Sequence, residues 1–207
     1  MKQEKLLKNV KNFKFFIIFY NSLVDILKRD KMAFITNKKE QEKIKIRNFN
    51  DFYRDAINQG ISIVPFDIFR YVETFDDIEL NINDSDINYP IVGLIEKFQN
   101  GCGYLISLSK FNDIRIQRMI LARLFAHSVL HRGYIIENRK IEIRDFWKTD
   151  EMSREANDFS TKLLIPKATF LEIIKNGSTI GEVANRFVVT PRFMKYRAYN
   201  LGFVKKF

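Results

Sequence analysis

The sequence predicts an α+β fold with one main hydrophobic core. Short runs rich in β-branched and aromatic residues predict three strands, at 61–66, 91–98 and 103–109. Two long stretches without a helix breaker predict the main helices, at 114–131 and 151–164. With 207 residues and 46% hydrophobic content, the chain is long enough to bury such a core.

The elements before the central helix are indicated by their end signals. Apolar residues follow helical spacing from residue 49, and Gly60 ends this predicted helix just before the first strand. Residues 73–90 are acidic and rich in Asn and Asp, which predicts a loop. The Asn100-Gly101 turn signal then predicts that the second and third strands form a hairpin.

The two main helices have recognisable starts and stops. Asp113 is a typical helix-start residue, and the helix after it is predicted to end near Gly133. This helix is mostly apolar, so we expect it to be buried. A short strand is then predicted at either 134–136 or 141–143, and Pro166 ends the second main helix.

The tail of the chain carries strong start signals for two more helices. Thr179 and Glu182 have the spacing of a capping box, and Thr190-Pro191 places an N-cap before a proline at the first helical position. These signals predict two short helices joined by a tight turn, at about 180–187 and 191–200. Their spacing is that of a helix-turn-helix.

The net charge of +10 is concentrated at the two ends of the chain. Residues 1–31 carry eight Lys or Arg and three Asp or Glu, and residues 186–207 carry six Lys or Arg and no acid. The section between them is close to neutral. The basic ends indicate local contacts with an acidic partner or with nucleic acid, or they simply favour solubility.

The cysteine count and the apolar segments indicate the compartment. A single cysteine, Cys102, cannot form an intramolecular disulfide, so we expect a cytoplasmic protein. The apolar run at 15–20 is shorter than the roughly 20 residues that a membrane span needs, and no convincing signal-peptide cleavage site follows it. We therefore expect no membrane attachment. Residues 1–31 form either a helical extension or a segment that precedes a true start at Met32.

The central helix contains part of a zinc-hydrolase motif. That motif, His-Glu-x-x-His, supplies two zinc ligands one turn apart and a glutamate that activates the bound water. Residues 118–131 read RMILARLFAHSVLH, and residues 151–166 read EMSREANDFSTKLLIP. Together they resemble the ImmA/IrrE family of zinc metallopeptidases. The typical family segments read R-F-T-x-A-H-E-x-G-H-x-x-x-H and E-A-N-x-F-A-x-x-L-L-M-P.

The resemblance implies a role for each position of the altered motif. Arg123 falls where the first zinc-binding histidine belongs, and Leu124 falls where the catalytic glutamate belongs. His127 matches the second zinc-binding histidine, and Glu155 matches the third ligand. His131 matches a trailing histidine that the family does not use as a main ligand.

Two substitutions remove essential chemistry from this motif. Leu124 cannot accept a proton, and a general base contributes roughly 10²–10⁴-fold to the rate of such a reaction. Arg123 is a permanent cation, so it repels a divalent metal and cannot ligate one. We expect no cofactor, or zinc at His127 and Glu155 if the site is retained.

Two arrangements of these side chains are considered. In the first, the Arg123 guanidinium occupies the space of the zinc and pairs with Glu155, so that an ion pair replaces a metal bridge. In the second, His127 and His131 form a shifted pair of ligands, Glu155 is the third, and Ser128 stands at the position of the base. The match of the flanking residues to the family pattern favours the first arrangement.

The resemblance also implies the domain organisation. It predicts a small zincin-like sheet packed on the active-site helices, followed by a helix-turn-helix-like segment. The expected parts are a basic and apolar N-terminal extension at 1–43, a metallopeptidase-like domain at 44–167 and the C-terminal segment at 168–207. Residues 103–109 resemble the family's edge strand, to which a peptide could add as a further strand.

Three functions are consistent with these observations. The leading hypothesis is a metallopeptidase-like protein that has lost catalysis and binds a transcription repressor of the helix-turn-helix type. The first alternative is an active zinc endopeptidase that cleaves a repressor. The second is a DNA-binding regulator that uses its C-terminal segment, with contacts from Arg186, Arg192, Lys195 and Arg197.

Overall fold

The computed structural model describes residues 49–205, with gaps at 85, 86, 88, 100–102, 111 and 176. All described residues belong to one compact unit, Asn48–Phe207. The predicted N-terminal extension, the Asn100-Gly101 turn and Cys102 lie outside the described residues. Within the described part, no helix is both long enough and apolar enough to cross a membrane.

The described chain has an α+β fold, as the sequence predicts. Its helices are α1 (Phe49–Asn58), α2 (Ile68–Val72), α3 (Ile114–Leu130), α4 (Arg132–Asn138), α5 (Glu151–Leu164), α6 (Lys167–Ile174), α7 (Ile180–Phe187) and α8 (Pro191–Asn200). Its strands are β1 (Ile78–Asp84), β2 (Gly93–Lys97), β3 (Tyr104–Ser109) and β4 (Lys140–Ile143). The predicted bounds of the two main helices are therefore correct to within one residue at each end.

The four strands form one mixed sheet in the order β1-β3-β2-β4. β2 and β3 pair antiparallel, which confirms the predicted hairpin. β1 runs parallel to β3, and β4 runs antiparallel to β2. Because β3 has a neighbour on both sides, the expectation that residues 103–109 form an edge strand is wrong. Among the described residues, the sheet ends at β1 on one side and at β4 on the other.

The central helix α3 joins the sheet to the other helices. It is buried over most of its length, as its apolar sequence predicts, and it packs against β2, β3 and α5. Gly93 of β2 permits this close approach, because a Cβ there would overlap Ile120 and lie 3.1 Å from Leu124 Cδ1. Edge-to-face aromatic contacts complete the core around Phe52, Tyr71 and Phe125.

The segment after α1 differs from its prediction. Residues 61–66 form no regular strand, and an isolated bridge joins Ile63 to Phe66 across a turn. Ile61 and Phe66 are both buried, so the apolar run contributes to the core from a turn and not from the sheet. The short helix α2 follows at once, capped by the Asp67 side chain.

The predicted loop at 73–90 is also only partly correct, because β1 lies within it. β1 alternates Ile78, Leu80 and Ile82 with polar residues, and its pairing with β3 overrides the low strand propensity of Asn and Asp. Of the two positions predicted for a strand after the central helix, 141–143 is confirmed as part of β4. The other position, 134–136, lies in α4.

The predicted helices of the tail are confirmed together with their caps. Thr179 and Glu182 form the capping box of α7, and the Thr190 side chain caps α8. The additional helix α6 precedes them and was not predicted. Its N-cap residue, Pro166, makes no side-chain capping bond, so the usual start signal is missing.

Arg118, at the start of the central helix, holds the turn between α7 and α8 in place. Its Nε donates to Val188 O (3.0 Å), and its Nη2 donates to Phe66 O (2.9 Å). Val188 has a φ of 52°, a left-handed conformation that is rare for a β-branched residue. The buried guanidinium therefore stabilises an unfavourable turn and ties the tail to the rest of the unit.

Candidate functional site

Arg123, at the position of the first zinc ligand, is fixed inside the protein. It is 3% exposed. Its Nη1 donates to Asp145 O (3.2 Å) and Phe146 O (2.5 Å), and its Nη2 donates to Ser153 Oγ (2.7 Å). The guanidinium carbon also lies 5.2 Å from the centroid of the Phe146 ring. This side chain cross-links α3, the loop at 144–150 and the first turn of α5.

The Arg123 guanidinium is a buried cation. Burial lowers its pKa to about 10, while the carboxylates of Asp150 and Asp145 act in the opposite direction. It therefore stays protonated at neutral pH. Its acceptors are two backbone carbonyls and one hydroxyl, so the expectation that it pairs with Glu155 is wrong. The Glu155 carboxylate is engaged elsewhere, by His131.

His127 and Glu155 are joined through His131. His131 Nε2 lies 3.0 Å from Glu155 Oε2, and His131 Nδ1 lies 2.9 Å from His127 Nδ1. When His131 is neutral, its Nε2–H donates to the carboxylate and its Nδ1 accepts from the Nδ1–H of His127. The Nε2 atom of His127 is then a bare acceptor, and it is buried without a partner in the described part of the chain.

The surroundings of His127 keep its imidazole neutral. The residue is 2% exposed. Burial, followed by the nearby charges of His131 and Arg123, lowers its pKa to about 3. A neutral imidazole is the form that ligates metals. However, the cation one turn away opposes a divalent metal at the same point.

Leu124, at the position of the catalytic glutamate, belongs to the hydrophobic core. It is fully buried. Its Cδ1 lies 3.1 Å from the position that a β-carbon on Gly93 of β2 would take, so it packs closely on that strand. The side chain therefore provides packing between α3 and the sheet, and it provides no group that could accept a proton.

The residues present do not fit a zinc ion. A structural or catalytic zinc needs three or four nitrogen, oxygen or sulfur donors at about 2.0–2.3 Å from one point. Among the described residues, no group of three or more His, Cys, Asp or Glu is arranged to hold a metal. Glu155 contacts the Nε2 side of the His131 ring, whereas His127 contacts the Nδ1 side. The donors of the shifted arrangement, His127, His131 and Glu155, therefore do not converge on one point.

A cleft of about 610 Å³ opens beside this group. Its helix side is lined by Arg123, His127 and Ser153, and its strand side includes Glu142 and Arg144. The Glu142 carboxylate accepts hydrogen bonds from Lys140 of β4 and from Arg144 (2.6 Å). Both bonds lower the pKa of that carboxyl. The cleft therefore has a charged rim and a buried cationic floor.

Three polar residues that organise this region were not identified from the sequence. Ser153 Oγ donates to Asp150 Oδ2 (2.8 Å) while accepting from Arg123, and Asn157 Nδ2 donates to Phe146 O (3.0 Å). Burial opposes ionisation of Asp150, but hydrogen bonds from Ser153 and pairing with a lysine outweigh it and hold its pKa at about 2. Two features of the sequence could have indicated these residues. Asp150 is an N-cap residue three positions before Ser153, and Asn157 is the Asn of the E-A-N run.

The four basic residues singled out in the tail lie in different environments. Arg186 and Lys195 are exposed. The Arg192 guanidinium stacks 4.5 Å from the centroid of the Trp147 ring. Arg197 is 5% exposed and donates from Nε to Ile165 O (3.2 Å), so the expectation that it contacts a partner from the surface of α8 is wrong.

The comparison with protein-family models decides the ancestry of this site. Residues 95–199 match peptidase family M78, described as the IrrE N-terminal-like domain, and the match spans just over half of the chain. The chain belongs to this family. No curated protein matches the chain. The family match includes part of β2, all of β3 and most of the tail, together with the central helix and α5, which carry the altered motif.

Two residues that keep the identity expected from the family pattern lie on neighbouring helices. His127 on α3 and Glu155 on α5 are held in neighbouring helices, as the family pattern implies. What differs is the contact between them. An imidazole, His131, bridges them on one side, and Arg123 reaches away from them to the loop at 144–150.

Proposed function

We propose that this M78 family member has lost peptidase catalysis and acts by binding a helix-turn-helix transcription regulator without cutting it. The observation that carries the proposal is the Arg123 guanidinium, which is buried and held by Asp145 O, Phe146 O and Ser153 Oγ. The family's first ligand is thus replaced by a cation, and Leu124 leaves no base beside it. A cytoplasmic location, inferred from the single cysteine, is part of this proposal.

The open edge of β4 supports a binding role for the cleft. Ile141 and Ile143 pair with Ile95 and Gly93 of β2. The same pattern continues just before β4, where the Lys97 N–H donates to Arg139 O. In an antiparallel ladder the alternate residues turn their backbone groups outward. The N–H and C=O groups of Glu142 therefore face the side of β4 on which no described strand pairs, where an extended segment of a partner could add as a strand.

The first experiment tests both binding and the absence of cleavage. The purified full-length chain is mixed with each helix-turn-helix regulator encoded in the source genome. Binding is measured by biolayer interferometry, and the regulator is then weighed by intact-mass spectrometry. We expect one regulator to bind and to keep its full mass. Cleavage that is lost on chelation would instead support the active endopeptidase.

A matched pair of variants tests the binding mode. Glu142→Pro removes the outward N–H of the β4 edge, whereas Glu142→Ala removes the same side chain but keeps that N–H. Proline is tolerated on an edge strand when its nitrogen faces away from the ladder. We expect Glu142→Pro to weaken binding about tenfold more than Glu142→Ala, in keeping with one lost interface hydrogen bond. Equal affinities would exclude strand addition at this edge.

The DNA-binding alternative depends on Arg186 and Lys195, which are exposed. Of the other two candidate contacts, Arg192 stacks on the Trp147 ring and Arg197 donates to a backbone carbonyl. Phosphate contacts by such residues would make the affinity fall steeply with salt. A gel shift with duplex DNA at two salt concentrations tests this alternative. A salt-sensitive shift that disappears in the Arg186→Ala, Lys195→Ala double variant would support DNA binding over partner binding.

A further inference from the structure

A second groove, separate from the cleft beside Arg123, lies between α1, α5, α6 and α8. Its volume is about 1120 Å³, and it shares no lining residue with that cleft. Much of its wall is apolar and aromatic, formed by residues that include Phe49, Tyr53, Ile63, Leu171 and Tyr196. Grooves that bind small molecules typically combine such walls with a few well-placed polar groups.

Arg197 supplies a polar group of this kind at the base of the groove. It lines the groove and is 5% exposed. Its Nε donates to Ile165 O (3.2 Å). In the described part of the chain, no carboxylate lies within ion-pair distance of this guanidinium, although buried cations are ordinarily paired. Burial lowers the pKa of Arg197, and the nearby Tyr53 and Asp158 only partly oppose this effect.

The terminal nitrogens of Arg197 are available to a ligand. Within the described residues, Nη1 and Nη2 donate to no acceptor. Three side-chain atoms of the described residues are buried without a partner, namely Arg123 Nε, His127 Nε2 and Asn157 Oδ1. The Nη1 and Nη2 atoms of Arg197 are not among them. These nitrogens therefore reach the open space that Arg197 lines. A guanidinium presents two parallel N–H donors, which match the two oxygens of a carboxylate.

The other charged groups of the groove favour an anion. Four lining residues are cationic and two are acidic: Arg154, Lys162, Lys167 and Arg197 against Glu155 and Asp158. Both acids are already engaged, because Asp158 binds Lys162 and Asn200 while Glu155 binds His131. The wall around Arg197 therefore carries a net positive charge, which attracts a carboxylate.

We propose that this groove binds a small carboxylic acid with an aromatic or aliphatic body. Its carboxylate pairs with the Arg197 guanidinium, and its hydrocarbon part packs against Phe49, Tyr53 and Leu171. The ligand is thus an organic acid of low molecular mass, recognised by one charge and one apolar surface. This site is independent of partner binding at the β4 edge.

A pair of probes that differ in charge tests the site. Full-length protein is titrated with 4-phenylbutyrate and with its neutral amide, 4-phenylbutanamide, by isothermal titration calorimetry. The one tryptophan of the chain, Trp147, provides a second readout, since its ring lies 5.8 Å from that of Tyr196 in the groove wall. We expect saturable binding of the acid, about tenfold tighter than the amide, from one charge-assisted hydrogen-bonded contact.

Three variants locate the binding. Arg197→Met should reduce the affinity for the acid to that for the amide. Ala168→Phe places a ring in the groove and should abolish binding of both compounds. Glu172→Phe changes an exposed residue one turn further along the same helix that does not line the groove, and it should leave both unchanged. The Ala168 and Glu172 variants decide the location even if Arg197→Met fails to fold. Equal binding of acid and amide, no binding of either, or unchanged binding in Ala168→Phe would each overturn the proposal.

Discussion

Replacing Arg123 by methionine tests whether its guanidinium is now a structural cross-link. The variant loses three hydrogen bonds, to Asp145 O, Phe146 O and Ser153 Oγ. Hydrogen bonds to charged groups contribute about 1.5–3 kcal/mol each before the burial cost of the cation is subtracted, and that cost is several kcal/mol. Phe146 O keeps its bond from Asn157, so Asp145 O is the acceptor left bare. We expect a net loss of about 3 kcal/mol in the free energy of unfolding.

The assay is urea unfolding followed by Trp147 fluorescence, because that residue adjoins the Phe146 loop that Arg123 holds. Equal m values would show that the variant changes stability and not the extent of unfolding. Arg144→Met is the matched control: this arginine side chain is 58% exposed and pairs with Glu142 on the surface, so its loss should cost less than about 1 kcal/mol. If the two variants are equally stable, or if Arg123→Met is more stable than the native chain, the cross-link account is incorrect.

Three further predictions concern the same region. Leu124→Glu alone should lower the free energy of unfolding by about 3 kcal/mol or more at neutral pH, because it buries a carboxylate over Gly93; a thermal midpoint equal to that of Leu124→Met would contradict this. The Arg123→His, Leu124→Glu double variant should bind zinc in an equilibrium dialysis measurement, and Glu155→Gln in that background should weaken the binding; unchanged affinity would remove Glu155 from the ligand set. The folded-state pKa of Asp150 is about 2, below its ordinary value of 3.8, so its charge stabilises the fold above about pH 4 and this contribution is lost as the pH falls toward about 2. Asp150→Asn keeps a capping acceptor and should therefore show a smaller drop in urea midpoint over that range, whereas parallel curves for the two proteins would show that the carboxylate has no such role.

The helices could be predicted from the sequence because their ends are set by local chemistry. Asp113, Asp150, Thr179 and Thr190 each cap the helix that follows them, and the predicted bounds of α5, α7 and α8 agree with the structure. Such caps act over three residues, so they are visible in one chain without any tertiary information. The helix α6 lacks a side-chain cap and was missed for the same reason.

The sheet could be predicted only in part, because strand order is a property of the whole fold. The hairpin of β2 and β3 follows from a short connection between apolar runs. β1 becomes a strand through its parallel pairing with β3, which no local pattern around Leu80 reveals. That pairing also moves the edge of the described sheet from β3 to β1, while β4 forms the opposite edge by pairing with β2.

The candidate site shows the same limit at the level of side chains. The sequence placed Arg123, His127, His131 and Glu155 in one region, and the structure brings the last three into a continuous hydrogen-bonded chain. The sequence could not show which base Glu155 would meet. Arg123 and His131 lie on the same helix face, and the sequence allowed either side chain to pair with Glu155. The Arg123 guanidinium donates to the loop carbonyl of Phe146 instead, and His131 contacts Glu155.

The native chain is expected not to hold zinc at His127 and Glu155. The decisive measurement is the metal content of the purified native protein after incubation with excess zinc and removal of unbound metal, determined by elemental analysis. We predict no stoichiometric zinc in the native chain. One zinc per chain, lost in both His127→Ala and Glu155→Ala, would contradict the account and restore the active peptidase as the leading function.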